Sequence, residues 1–153
     1  TSTLIELETL QTLVDDIGIH SIKDAVGDFE FSKKQLELLK DKADIYSGND
    51  NQTYDFVING GVGVVSVASH VVGDEISEMI SFAKDNDLEK AEEINMQLSN
   101  LFEAIFEEPS PGPIKKILSE SWEEVGEPLL PITSITPELA NKIRGFYKKI
   151  KEN

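Results

Sequence analysis

The stretch Ile19-His20-Ser21-Ile22-Lys23-Asp24-Ala25-Val26-Gly27-Asp28 decides how the rest of the chain is read. Residues 19–23 form a short apolar run with a lysine at its end, and a turn of small and acidic residues follows at once. This predicts a strand over 19–23 with Lys23 at the point where the strand gives way to its loop. Burial at such a strand end disfavours the ammonium form of an amine. A neutral amine there can attack a carbonyl carbon. Taken alone, Lys23 reads better as a surface residue whose stem lies along the strand and whose charged head reaches water. Its neighbours along the chain reverse that reading.

On either side the pattern alternates. Leu7, Leu10, Leu13 and Val14 recur at helical spacing within residues 1–17. Asp28 is placed to cap a helix over 29–42, whose Phe31, Leu36, Leu38 and Leu39 supply a buried side. Asp44-Ile45-Tyr46-Ser47 reads as a second strand running into Gly48-Asn49-Asp50, with Asp50 as the cap of a helix over 51–59. Gly60-Gly61 ends that helix. Val62-Gly63-Val64-Val65-Ser66-Val67 is then apolar on both faces, the pattern of a strand buried in a parallel sheet. This order of helix and strand implies an α/β arrangement with right-handed crossovers.

Beyond residue 73 only helical patterns follow. Ile76, Met79, Ile80 and Ala83 mark one helix, and Leu88, Ala91, Ile94, Leu98, Leu101 and Ile105 a longer one. Pro109-Ser110-Pro111-Gly112-Pro113 is a rigid break, with Pro113 in the first turn of a helix that carries Ile114, Ile117, Leu118 and Trp122. A last helix carries Leu139, Ile143, Phe146, Tyr147 and Ile150. The chain therefore divides into an α/β part, residues 1–73, and a helical part, residues 74–153. Three strands are too few for a closed barrel, and open sheet edges are a liability. Further strands are expected upstream of Thr1, in agreement with a chain that opens without a methionine.

Composition narrows the function classes. With 153 residues, 39% hydrophobic and 28% charged, the chain can bury a core of ordinary size. Fourteen basic against 29 acidic side chains give a net charge of −15. Such a surface repels phosphate backbones and anionic lipids, so neither nucleic acid nor membrane is expected as a partner. Without cysteine there is no thiolate nucleophile, disulfide or zinc–thiolate site. No metal or cofactor is called for. No apolar stretch approaches the roughly 20 residues of a membrane span, and no signal peptide is visible. A cytoplasmic protein is expected.

In parallel α/β proteins the carboxyl ends of the strands gather at one face, where ligands bind. Lys23, the backbone at Gly48 and the backbone at Val65 are therefore expected to converge. Taken together, I-K-D-A-V-G-D (22–28), Y-S-G-N-D (46–50) and G-G-V-G-V-V-S-V (60–67) resemble the second half of the dihydrodipicolinate synthase family. That family lies within the wider class of pyruvate-dependent aldolases and lyases that work through a lysine Schiff base on a TIM barrel. The resemblance runs over essentially the whole chain. It implies the C-terminal part of a TIM (β/α)8 barrel, about three parallel strands with helices, followed by an all-helical C-terminal region.

The resemblance also implies roles. Lys23 falls on the imine-forming lysine, Gly48 on the glycine lining the pyruvate pocket, and Val65 on the residue whose backbone faces the bound keto acid. Ala25 and Gly27 match the family's small residues beside the lysine. In the sialic acid lyases an aromatic residue and threonine follow the lysine, so Asp24-Ala25 leans toward the synthase. The implied reaction condenses pyruvate with L-aspartate semialdehyde in lysine and diaminopimelate biosynthesis. The implied partners are pyruvate, an aldehyde co-substrate, and other subunits of a homo-oligomer or an N-terminal half. The family's threonine pair, relay tyrosine, carboxylate-binding arginine and most of its lysine-feedback site fall upstream, so the chain by itself is expected to be inactive or nearly so.

Departures bear on substrate choice and subunit contacts. His70 stands where the family has asparagine, Ser110-Pro111-Gly112-Pro113 replaces N-P-I-P, and Pro128-Leu129-Leu130-Pro131 lacks the arginine of L-R-L-P. Rival readings are another pyruvate-dependent aldolase, such as N-acetylneuraminate lyase or a 2-keto-acid aldolase, and a non-catalytic half-barrel that associates with itself. A signalling domain phosphorylated on Asp24 or Asp50 lacks the acidic cluster its metal needs. His20 is expected to be packed, and His70 has no metal-spaced partner. Trp122, Phe102 and Phe106 are expected in the core or a subunit contact. Glu89, Glu92, Glu93 and Glu103 read as a solvated helix face. Gly60-Gly61-Val62-Gly63 lacks the lysine and downstream hydroxyl of a nucleotide loop.

Overall fold

Three parallel strands lie side by side in chain order in a computed structural model that describes residues 3–152. They are β1 (Ser21–Asp24), β2 (Asp44–Ser47) and β3 (Gly63–Val64). Helix α1 (Leu7–Asp15) precedes β1, α2 (Phe29–Leu38) joins β1 to β2, and α3 (Thr53–Ile58) joins β2 to β3. Four helices follow: α4 (Ser69–Lys84), α5 (Leu88–Ala104), α6 (Gly112–Ser121) and α7 (Pro137–Lys151). The ladder pairs Lys23 with Tyr46 and Asp24 with Ser47, and then Tyr46 with Gly63 and Ser47 with Val64.

Local chemistry sets the element ends. Gly18, at φ +78°, lets the Ile19 N–H turn back to the Leu13 carbonyl, so β1 begins at Ser21 rather than at residue 19. The Asp28 carboxylate accepts from the amides of Glu30 and Phe31 and caps α2 as expected. The expected strand over 62–67 contracts to Gly63–Val64 because Ser66 Oγ accepts from the Ser69 N–H at 2.8 Å, drawing the chain into a turn.

Two apolar layers result. Ile22 and Ile45 pack with Leu10, Val14, Leu36, Leu39 and Phe56 on one side of the sheet. Met79, Leu98, Leu101, Phe102, Ile105, Ile114 and Ile143 form the core of the helical region, and Tyr54, Val64 and Val67 pack against it from the α/β part. Residues 73 and 74 lie within α4. Among the described residues no helix is long and apolar enough to cross a membrane.

One expectation needs correction and two are narrowed. His20 is exposed, standing just outside β1 where the alternation of buried and exposed residues no longer holds. Trp122 and Phe106, past the ends of α6 and α5, are 69% and 49% exposed, so neither lies in the core of this chain, and of the two places expected for them only a subunit contact remains. Phe102, inside α5, is 1% exposed as helical spacing requires. Between α6 and α7, Arg144 grips Glu120 with two hydrogen bonds of 2.7 Å. Arg144 first, then Lys116, hold the Glu120 carboxyl below its usual range.

Candidate active site

The strand register places the candidate residues. Lys23, Tyr46 and Gly63 form one row across the sheet, and Asp24, Ser47 and Val64 the next. One step further, the Gly48 N–H donates to the Asp24 carbonyl at 2.5 Å and the Val65 N–H donates to the Ser47 carbonyl at 2.8 Å. The loops that follow the three strands thus start beside one another at the carboxyl end of the sheet. A Cβ on Gly48 would lie 2.8 Å from Lys23 Cε, 2.7 Å from Ala25 Cβ and 2.9 Å from the Asp24 carbonyl oxygen. The lysine stem therefore runs across the bare face of Gly48, and only glycine fits there. Val65 follows through its bond to Ser47, the residue before Gly48, and is 48% exposed.

Lys23 itself is exposed, contrary to the burial expected from its strand. It alternates away from Ile22, which faces the helices, and β1 is an edge strand of this sheet. Beside that edge lies a cleft of about 540 Å³, lined among others by Leu4, Ile5, Ile22, Lys23, Val26 and Phe31.

Two buried carboxylates shape the loops around the lysine. Asp24 Oδ1 accepts from the Val26 N–H at 2.8 Å, and Oδ2 accepts from Ser32 Oγ at 2.7 Å. These bonds hold the turn that follows Lys23, where Gly27 sits at φ +85°. Asp50 was expected to cap the helix after β2. Its Oδ2 instead accepts from the amides of Val67 and Ala68, each at 3.1 Å, and a short 3₁₀ turn over Asp50–Gln52 leads into α3. Both carboxylates are thus engaged inside the protein, which leaves neither available as a phosphoacceptor. Gln52 Nε2 donates to the Gly27 carbonyl at 3.1 Å, and Asn49 Nδ2 donates to Gln52 Oε1 at 3.0 Å, tying the first loop to the second.

The helical region reaches the same end of the sheet. Phe102, Glu103 and Phe106, from the end of α5, line a cleft of about 420 Å³ with Gly27, Asn49 and Gln52. Periodicity gave no sign of this contact. The roles of Asp24, Ser32, Asp50 and Gln52 were also not read from sequence, although an acid directly after a strand-end lysine was a usable signal for the first. His70 is exposed, with Nδ1 2.9 Å from the Val67 carbonyl oxygen.

Residues 1–150 match the model of the Dihydrodipicolinate synthetase family. The chain belongs to this family. Among curated members of similar sequence, the 4-hydroxy-tetrahydrodipicolinate synthase of Listeria monocytogenes serotype 4b is 32% identical over 148 residues. That alignment takes in 97% of this chain and 50% of the relative. The synthase of Thermosynechococcus vestitus is 39% identical over 137 residues, covering 90% of this chain and 46% of the relative. The crystal structure of the family member from Cyanidioschyzon merolae, with lysine bound, superposes with a TM-score of 0.89 at 33% identity, over 95% of this chain and 49% of that one. The chain spans about half the length of the curated relatives it matches. The fold class is the expected one: three parallel strands with helices and a helical C-terminal region, matching half of the family's TIM-barrel structures.

Proposed function

We propose that this chain supplies the imine-forming part of a 4-hydroxy-tetrahydrodipicolinate synthase, a lyase of class I aldolase type. In this reading the Lys23 amine adds to C2 of pyruvate and expels water, giving an imine. The methyl carbon gives up a proton, and the resulting enamine adds through that carbon to the aldehyde carbon of L-aspartate semialdehyde, whose oxygen takes up a proton. The amino group of the adduct then attacks C2, the ring closes, and Lys23 leaves as the free amine. One water is lost overall. Dividing a difficult carbon–carbon bond formation into imine and enamine stages lowers the barrier of each.

The observation that carries this reading is the packing of Lys23 Cε on Gly48, which directs one amine along a surface bare of side-chain atoms. Membership of a family whose curated members include synthases supports the choice of reaction. Gly48 is assigned to the wall of the pyruvate site and the Val65 backbone to the side facing the keto acid. The reading carries with it a cytoplasmic location and action as part of a larger assembly, either a homo-oligomer or a pairing with an N-terminal half. The chain alone is assigned little or no turnover, because proton relay and carboxylate binding fall to residues outside it. Another pyruvate-dependent aldolase differs only in the acceptor, so aspartate semialdehyde and N-acetylmannosamine are to be offered as rivals.

Borohydride trapping with pyruvate, followed by peptide mass mapping, tests the proposal on the chain alone and with the complementary half-barrel supplied. The expected adduct sits on Lys23 and forms with the half supplied. Its absence from both samples rejects the Schiff-base chemistry. A second reading, a non-catalytic half-barrel that associates with itself, is favoured by the edges of β1 and β3, which pair with no further strand among the described residues. A monomer at low micromolar concentration in size-exclusion chromatography counts against it.

A further inference from the structure

We infer that Asp50 is a positioning residue, which holds the loop after β3 against the loop after β2 and so fixes the spacing of Val65 and Gly48 around Lys23. This rests on the Schiff-base reading above and adds to it a residue that touches neither the lysine nor the keto acid. Asp50 is 2% exposed and stands two residues after Gly48. Its Oδ2 accepts from both Val67 N–H and Ala68 N–H at 3.1 Å, and these amides stand two and three residues after Val65. They stand just before α4, whose cap residue Ala68 has no side-chain acceptor, while the next amide, Ser69 N–H, is taken by Ser66 Oγ at 2.8 Å. A carboxylate from a separate loop thus shares the capping with Ser66, taking the two amides that Ser66 does not, and charge-assisted bonds of this kind are roughly twice as strong as neutral ones.

The clamp closes a circuit. Val65 is tied to Ser47 through the strand ladder, Ser47 Oγ accepts from the Asn49 N–H at 3.1 Å, and Asp50 returns to Val67 and Ala68. Without Asp50, the segment from Val65 to Ala68 is anchored to the second loop through the Val65 amide alone among these bonds. The backbone assigned to face the keto acid then loses its fixed distance from the lysine. The other carboxylate oxygen, Oδ1, is buried and has no hydrogen-bond partner among the described residues. An asparagine can thus present its carbonyl oxygen to the two amides without displacing an existing partner.

The test compares wild type, Asp50→Asn and Asp50→Ala, each as the full chain with the complementary half-barrel supplied. Two quantities are read: hydrogen exchange at the Val67 and Ala68 amides, and the pyruvate dependence of borohydride trapping on Lys23. In Asp50→Ala both amides exchange faster, and the pyruvate concentration for half-maximal trapping rises about tenfold while the maximal trapping rate changes less than about twofold, the pattern of weakened binding rather than lost chemistry. Asp50→Asn falls between the two, because the acceptor survives without its charge. In any variant that folds, faster exchange with an unaltered half-saturation concentration overturns the positioning role, and unaltered exchange overturns the clamp. A fall in maximal rate at wild-type half-saturation overturns it as well. Wild-type protein that forms no adduct rejects the Schiff-base reading and this proposal together, whereas a normal wild-type adduct with unaffected variants rejects this proposal alone.

Discussion

Adding one methyl group at Gly48 is the sharpest probe of the site. The new Cβ in Gly48→Ala would stand 2.7 Å from Ala25 Cβ, 2.8 Å from Lys23 Cε and 2.9 Å from the Asp24 carbonyl oxygen. Carbon atoms in comfortable contact are about 3.5–4.0 Å apart, so the carbon contacts are each about 1 Å too close. Ala25 Cβ is fixed to the backbone, and the Asp24 carbonyl is held by the Gly48 N–H at 2.5 Å. Lys23 is the flexible neighbour and must swing aside. Overpacking of this kind costs about 1–3 kcal/mol in stability. A displacement of about 1 Å at a reacting group costs about 10²-fold in rate, or about 2.7 kcal/mol of barrier. The assay measures the rate of Lys23 trapping at saturating pyruvate, with a thermal melt alongside, and expects the rate to fall about 100-fold and Tm to drop by about 2–12 °C. Ala25→Gly in the same chain removes the shortest contact and should restore part of both losses. Wild-type trapping and Tm in Gly48→Ala would refute the view that the bare face of residue 48 orders the lysine.

Lys23→Arg should abolish the borohydride adduct in the reconstituted protein, since guanidinium does not form the imine, and peptide mapping should find no substitute site. Ser32→Ala removes the donor to Asp24 Oδ2, leaving a buried carboxylate oxygen unpaired at a cost of about 1–3 kcal/mol, readable by urea denaturation. The Glu120 carboxyl is held low by Arg144 and Lys116, so its contribution to stability is complete above the ordinary value of 4.5 and disappears as pH falls through the depressed one. Melting curves of Glu120→Gln should therefore lie below wild type at neutral pH and converge with it in acid.

What could be read from sequence was what neighbours along the chain determine. Asp28 caps α2 because its partners are two and three residues away, and Gly60-Gly61 ends α3 for an equally local reason. The approach of Gly48 to Lys23 followed from parallel strands whose motifs fall in step. Asp50 was misassigned because its partners lie 17 and 18 residues on, beyond any local pattern. The exposure of Lys23 was missed for another reason: burial of a strand end depends on what faces the sheet, which the strand's own residues do not encode. Phe106 and Trp122 show the same limit at helix ends, where the path of the chain beyond the last turn decides exposure: Ile105, just past α5, is buried, and Phe106 beside it is not.

An amine that solvent reaches is also a reporter. Acylating reagents will modify Lys23 whenever its side of the sheet lies bare and will lose access once another polypeptide covers it. The fraction of molecules labelled at that one nitrogen therefore counts how many stand uncovered, independently of whether any product is made.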